Sequence, residues 1–144
     1  MTECARSAVM LDGEISRYVD ILQGVAQGCM LSPNLFKVYI DDMILIVAVD
    51  AAKQGVTVGE DTVSGLRFAD DFVGISETPE RLQKQIEKAL EYTRKWRGTA
   101  NVQKCAVVVR NEDKVDPVTF KWNWGEDELP IADRYTYLGV EISK

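Results

Sequence analysis

The order of apolar and polar positions divides the chain into two helical stretches and several strand-like ones. Alternation in SAVML, Ser7 to Leu11, followed by Asp12-Gly13 and then ISRYVDI, predicts a β-hairpin from about Ala5 to Ile21. Asp-Gly tolerates the positive φ of a tight turn. The next stretch, QGVAQGCMLSP, is rich in small residues and closes on Ser32-Pro33, a hydroxyl suited to capping before a ring that needs no N–H. Leu35, Phe36, Tyr39, Ile40, Met43, Ile44 and Val47 then recur at intervals of three and four, which predicts a helix of several turns.

Gly55 to Ser64 reads as a loop or short hairpin, and from Val63 the residues turn to β-type. They do so again after Asp70-Asp71 with FVGIS, so the two acids are expected at the tip of a strand–turn–strand unit. Thr78-Pro79 opens a second helix whose inner face is Leu82, Ile86, Ala89, Leu90, Tyr92 and Trp96, ending near Gly98. KCAVVV, Lys104 to Val109, predicts a short buried strand from its branched residues. In VTFKWNW, Val118, Phe120, Trp122 and Trp124 share one face at period two, and GEDE turns the chain into LPIADRYTYLGVEI. An aromatic row at that spacing is ordinarily core. There is no internal repeat or low-complexity linker, and one compact unit is expected from 144 residues.

Composition narrows the chemistry. Histidine is absent and the three cysteines, Cys4, Cys29 and Cys105, form no C-x-x-C pair, which removes zinc clusters and imidazole-dependent mechanisms. The longest apolar stretch, Met43 to Val49, is too short for a bilayer, and the first residues lack signal-peptide order, so an intracellular, reduced setting is expected, cytoplasmic or nuclear, with no membrane partner. A net charge of −6 argues against nucleic acid at first sight. The charge is uneven: Arg81 to Lys114 carries nine Lys/Arg against four Asp/Glu, or +5, and the rest is −11 (8 basic, 19 acidic). Each such charge taken singly is ordinarily a solvated helix face.

Two acidic pairs compete for attention. Asp41-Asp42 falls on the first helix, away from most of its apolar stripe and with Lys37 four residues before Asp41, the usual setting of plain exposed carboxylates. Asp70-Asp71 differs. Adjacent carboxylates at an apolar hairpin tip, with only Arg67 of opposite charge nearby in sequence, repel each other and resist burial unless a cation binds them. An exposed Asp-Asp turn is the plainer alternative.

QGCMLSPNLF, FADD, the Trp96…Asn101…Lys104 stretch and YTYLGV, in that order and over nearly the whole chain, resemble the palm of reverse transcriptases, in wording closest to the non-LTR retrotransposon branch. The resemblance implies an α+β fold, a palm-like antiparallel sheet with helices on one face. It also implies an RNA-directed DNA polymerase that transfers nucleotides with two Mg²⁺ (or Mn²⁺) ions about 4 Å apart. Asp70 is then a metal ligand, with Asp71 as its supporting neighbour. Ala69 leaves room for a primer end, and Gln27 and Gly28 line the nucleotide and template side, where absence of Cβ lets backbone approach a base pair. Lys104 serves the leaving pyrophosphate as proton donor or counter-charge, and Asn101 orders its loop. Leu138 packs and Gly139 turns in a hairpin that grips the primer. The partners implied are an RNA template, a DNA primer, dNTPs and the remainder of the polymerase.

The family also takes a carboxylate from a strand upstream of the Asp-Gly hairpin. That block, most of the fingers and the thumb are not found in these 144 residues, and Gly98 stands where a larger apolar residue is expected. The chain is therefore read as a palm fragment, incomplete at its N-terminus and inactive alone, with an unpaired sheet edge beside FADD. The rival expectation is a catalytically inert, palm-derived module that binds RNA or protein. A nucleotidyl cyclase would share the fold class, but its Gly-Gly-acidic turn is not here and QGCMLSP has no place in it.

Overall fold

A computed structural model describes residues 6–22, 24, 28–51, 55–110 and 119–144. The chain divides into two compact units, Met1–Tyr39 and Ile40–Lys144. In the first, β1 (Arg6–Ser7) pairs antiparallel with β4 (Val19–Asp20), and β2 (Met10–Leu11) pairs with β3 (Glu14–Ile15). The β2–β3 turn is Asp12-Gly13, with φ of 50° and 86°, the two consecutive positive values that a type I′ turn needs. The predicted hairpin is thus present.

Helix α1 (Ser32–Ala51) starts one residue earlier than Ser32 as cap would require. The Leu35 N–H donates to the carbonyl of Leu31, so Leu31 occupies the cap position and Ser32 is already helical. Of the expected stripe, Met43 is buried and Ile40 half-buried, whereas Leu35 is exposed; Ile44 and Val47 lie outside the described side chains.

The second unit continues with β5 (Val56–Val58) and β6 (Asp61–Val63), then β7 (Gly65–Phe68) and β8 (Asp71–Gly74). Helix α2 (Pro79–Lys95) is capped as expected: the Arg81 N–H donates to Thr78 Oγ1 at 3.4 Å and Pro79 opens the first turn. Its far end closes with Arg97 at φ 56° and bonds from Arg97 N to Arg94 O and from Gly98 N to Thr93 O, a Schellman motif. Two further hairpins follow a short 3-10 helix (Val102–Lys104). These are β9 (Trp122–Trp124) with β10 (Asp127–Leu129), and β11 (Arg134–Tyr137) with β12 (Val140–Ser143).

The expected single antiparallel sheet does not form among the described residues. Among the described residues the strands make six separate two-stranded sheets, nearly all local hairpins, in a mixed α+β fold with two helices. Two of the hairpins, β7–β8 and β9–β10, pack a face on helix residues. Phe72 of β8 and Trp124 of β9 pack on the cluster Met43–Ala89–Tyr92, and Leu82 and Ile86 of α2 pack on a second cluster of Val107, Trp122 and Leu129. Trp122, the largest fully buried side chain, also donates its indole N–H to Pro79 O at 3.2 Å. The aromatic row is core, as its spacing indicated; Val118 lies outside the described residues.

The expected strand over Lys104 to Val109 is corrected as well. Its first residues end the 3-10 helix, and only Val107 makes a bridge, parallel to Ile131, with Val107 N on Pro130 O and Ala132 N on Val107 O at 2.9 Å each. The next rung upstream would need an N–H from Pro130 directed at Cys105 O. Proline has none, so the ladder stops there.

Gln83 performs an unusual service on β9. The two-residue turn makes Trp124–Asp127 the hydrogen-bonded closing pair, so Asn123 belongs to the next, non-hydrogen-bonded pair and its N–H and C=O point outward. The Gln83 side-chain amide takes both: Asn123 N–H donates to Oε1 at 2.9 Å, and Nε2 donates to Asn123 O at 3.0 Å.

Candidate active site

The FADD segment forms a hairpin whose register pairs Phe68 with Asp71, Arg67 with Phe72, Leu66 with Val73 and Gly65 with Gly74. The two-residue loop is therefore Ala69-Asp70, and Asp71 is already the first residue of β8. Ala69 stands at φ 50°, where a Cβ is disfavoured, and Asp70 follows without a positive φ, as in a type II′ turn. The two acids sit at the tip as expected, but the turn is not an Asp-Asp turn.

Strand alternation divides the hairpin into two faces. One carries Leu66, Phe68, Asp71 and Val73; Phe68 is 63% exposed and Leu66 49%. The other carries Gly65, Arg67, Phe72 and Gly74 and packs on the helices. The glycines make that packing fit: a Cβ on Gly65 would come within 2.7 Å of Val73 O, and one on Gly74 within 2.8 Å of Gln85 Oε1. Gln85, itself buried, donates from Nε2 to Ile75 O at 3.1 Å, just past the end of β8.

On the same rear face Arg67 Nη2 donates to Asp41 Oδ1 on α1 at 2.8 Å. Asp41 is exposed as expected, but its counter-ion is Arg67, 26 residues on, and not Lys37. The pairing also removes the cation nearest in sequence from the two tip carboxylates. Asp70 and Asp71 are both exposed and, among the described residues, neither side chain has a hydrogen bond or ion pair. No group of three or more His, Cys, Asp or Glu side chains capable of holding a metal occurs among the described residues.

The other expected site residues are distributed as follows. Gln27 lies outside the described residues, and Gly28 has φ 84° with open space where a Cβ would stand. Next to it Cys29 is exposed, and bonds from the Leu31 backbone and from the Ser32 hydroxyl and backbone lower its thiol below the ordinary value. Burial raises that of Cys105. Asn101 precedes the 3-10 helix and orders it through its carbonyl, which accepts from Lys104 N at 3.0 Å and from Cys105 Sγ at 3.4 Å; its side chain makes no cap bond. Lys104 is exposed, and its own carbonyl accepts from Tyr135 Oη of β11 at 2.7 Å. An open cleft of about 710 Å³ lies beside this loop, walled by Thr99 to Gln103 on one side and Asp127, Glu128 and Pro130 on the other.

Leu138 and Gly139, at φ 50° and 81°, form the type I′ turn between β11 and β12. Leu138 is half exposed and turns the chain instead of packing. Sequence reasoning singled out neither Tyr135 as the tie to the Lys104 loop nor Asp41 as the tie to β7. Both contacts join residues more than 25 positions apart, for which one sequence holds no signal.

Residues 3–142 match the family model described as reverse transcriptase (RNA-dependent DNA polymerase). The chain is 28% identical, over 92% of its length, to the retrovirus-related Pol polyprotein from type-2 retrotransposable element R2DM of Drosophila melanogaster. It is 31% identical, over 86% of its length, to the retrovirus-related Pol polyprotein from type-1 retrotransposable element R2 of Nasonia vitripennis. It spans 13% of the length of each of these relatives. Among the described residues no helix is long and apolar enough to cross a membrane.

Proposed function

We propose, because the chain belongs to the reverse transcriptase family, that it forms part of an RNA-directed DNA polymerase of a non-LTR retroelement and that Asp70 and Asp71 hold the divalent cation of its nucleotidyl-transfer site. The observation that carries this reading is the pair of adjacent, exposed carboxylates on a tight turn, unpartnered among the described residues while Arg67 is drawn to the opposite face. Mg²⁺ takes one or two carboxylates and fills its octahedron with water and phosphate oxygens, so two acids of this kind fit part of its shell. When bound, Mg²⁺ or Mn²⁺ supplies Lewis-acid stabilisation of the charge that develops on the transferring phosphoryl group.

The protein's own groups have separate tasks in this reading. Asp70, on the turn itself, binds the cation, and Asp71 adds negative charge from the first position of β8. Ala69 keeps the tip narrow enough for a primer terminus. The Lys104 ammonium neutralises the departing pyrophosphate or gives it a proton. Asn101 shapes the loop that holds Lys104, Gln27 and Gly28 line the nucleotide and template, and Leu138-Gly139 bears on the primer. RNA template, DNA primer, dNTPs and the remaining parts of the polymerase are the partners.

RNA-templated primer extension with Mg²⁺, with the upstream carboxylate-bearing segment supplied, tests the proposal. Incorporation that Asp70→Ala abolishes supports it. Absence of incorporation, with RNA retained on the chain, favours the inert binding module instead.

A further inference from the structure

We infer that Asp41, acting through Arg67, is a positioning residue for the turn that carries Asp70. The inference rests on the reading of that turn as a cation site. Arg67 has only 11% of its side chain exposed, while Asp41 retains 60%. A guanidinium so far out of water needs a counter-ion. Arg67 stands three and four residues before Asp70 and Asp71, yet it shares the rear face with Phe72, whose ring packs on Met43, Ala89 and Tyr92. From there its charge is met on α1, at 2.8 Å, and not by the tip.

Two consequences follow from that placement. First, β7 is held by α1 through Arg67, while β8 is held by α2 through the bond from Gln85 to Ile75, so the loop between them is fixed from both sides. Second, Asp41 keeps the cationic side chain occupied and leaves the tip carboxylates free for a metal. Asp42, the neighbouring exposed carboxylate, has no bond or ion pair among the described residues and serves as an internal control.

The test measures amide hydrogen exchange over Leu66 to Phe72 and Mn²⁺ affinity by electron paramagnetic resonance in the 144-residue chain. Alanine is the better helix former, so Asp41→Ala does not weaken α1 by propensity. Asp41→Ala is expected to speed exchange and to weaken Mn²⁺ binding, each by about fivefold, the scale of one partly exposed ion pair. Asp41→Glu restores most of both, and Asp42→Ala leaves both unchanged. Where urea unfolding shows a global loss in Asp41→Ala, Asp41→Asn, which keeps the side-chain shape, must give the same order of effects. Unchanged exchange in Asp41→Ala, an equal effect from Asp42→Ala, or failure of Asp41→Glu to recover overturns the inference. Asp70→Asn separates the two claims: if it leaves Mn²⁺ affinity untouched, the cation reading falls, while the exchange data still decide whether Asp41 holds the hairpin.

Discussion

Replacing Gln83 by glutamate keeps the shape of the side chain that covers the outer edge of β9 and removes one hydrogen-bond donor. In the parent, Oε1 accepts from Asn123 N–H and Nε2 donates to Asn123 O and, at 3.3 Å, to Glu87 Oε1. In Gln83→Glu the first bond survives and becomes charge-assisted, but a carboxylate oxygen faces the Asn123 carbonyl and, one turn on, the Glu87 carboxylate. Loss of the donor bond costs about 1 kcal/mol, and two acceptors left facing each other cost about as much again. Loss of the exposed bond to Glu87 and the repulsion that replaces it add about 0.5 kcal/mol. The stronger surviving bond offsets part of this, for a net loss of about 1–2 kcal/mol near neutral pH, or a fall in Tm of about 3–8 °C.

The pH dependence gives the sharper check. The introduced acid binds its proton more tightly folded than unfolded, because the protonated form can donate to Asn123 O. Its folded pKa therefore lies above the unfolded value of about 4.3. A group raised in this way loses stability as pH climbs from the unfolded pKa through the folded one, and the penalty disappears below both. Urea unfolding of parent and variant, followed by tryptophan fluorescence at about pH 7 and about pH 4, reads the difference directly. A variant as stable as the parent at neutral pH, or one that loses further ground relative to it on acidification, refutes the account of Gln83 as a cap on both polar groups of Asn123.

Three other outcomes are expected. Ala69→Gly relieves the positive φ at the turn and raises stability by about 1 kcal/mol, seen as a higher urea midpoint; a lower one would mean the methyl group packs. Trp122→Phe deletes the indole bond to Pro79 O and leaves a void in the second cluster, costing about 2–3 kcal/mol in the same assay. Alkylation by iodoacetamide, mapped by peptide mass spectrometry, proceeds at Cys29 at a lower pH than at Cys105. Ser32→Ala moves the Cys29 profile upward, since the hydroxyl that favours the thiolate is gone.

Local signals were legible where the physics is local. Asp12-Gly13 announces a tight turn because adjacent residues must adopt positive φ, and Thr78-Pro79 announces α2 because hydroxyl and ring act within one turn, whereas the Leu138-Gly139 turn was implied only by the family resemblance. The branched run Cys105 to Val109 misled for the opposite reason. Its ladder depends on a partner 24 residues away, where Pro130 has no N–H for the next rung upstream. At the candidate site, the FADD tip followed from β-type residues on either side of the two acids, but which two residues make the loop depended on the Phe68–Asp71 register. Arg67 looked like a companion of the tip acids by sequence distance. The fold sends it to Asp41, because alternate residues of a strand face opposite ways.

The facing glycines at the root of this hairpin set which substitutions the motif can survive. Changing Asp70 or Asp71 removes the carboxylates proposed to bind the cation from a turn that still folds, because both side chains stand in solvent. Enlarging Gly65 or Gly74 drives backbone or a buried amide out of position, and everything the hairpin presents moves with it. In a library of random variants, folding should therefore fail first at two residues that touch no substrate.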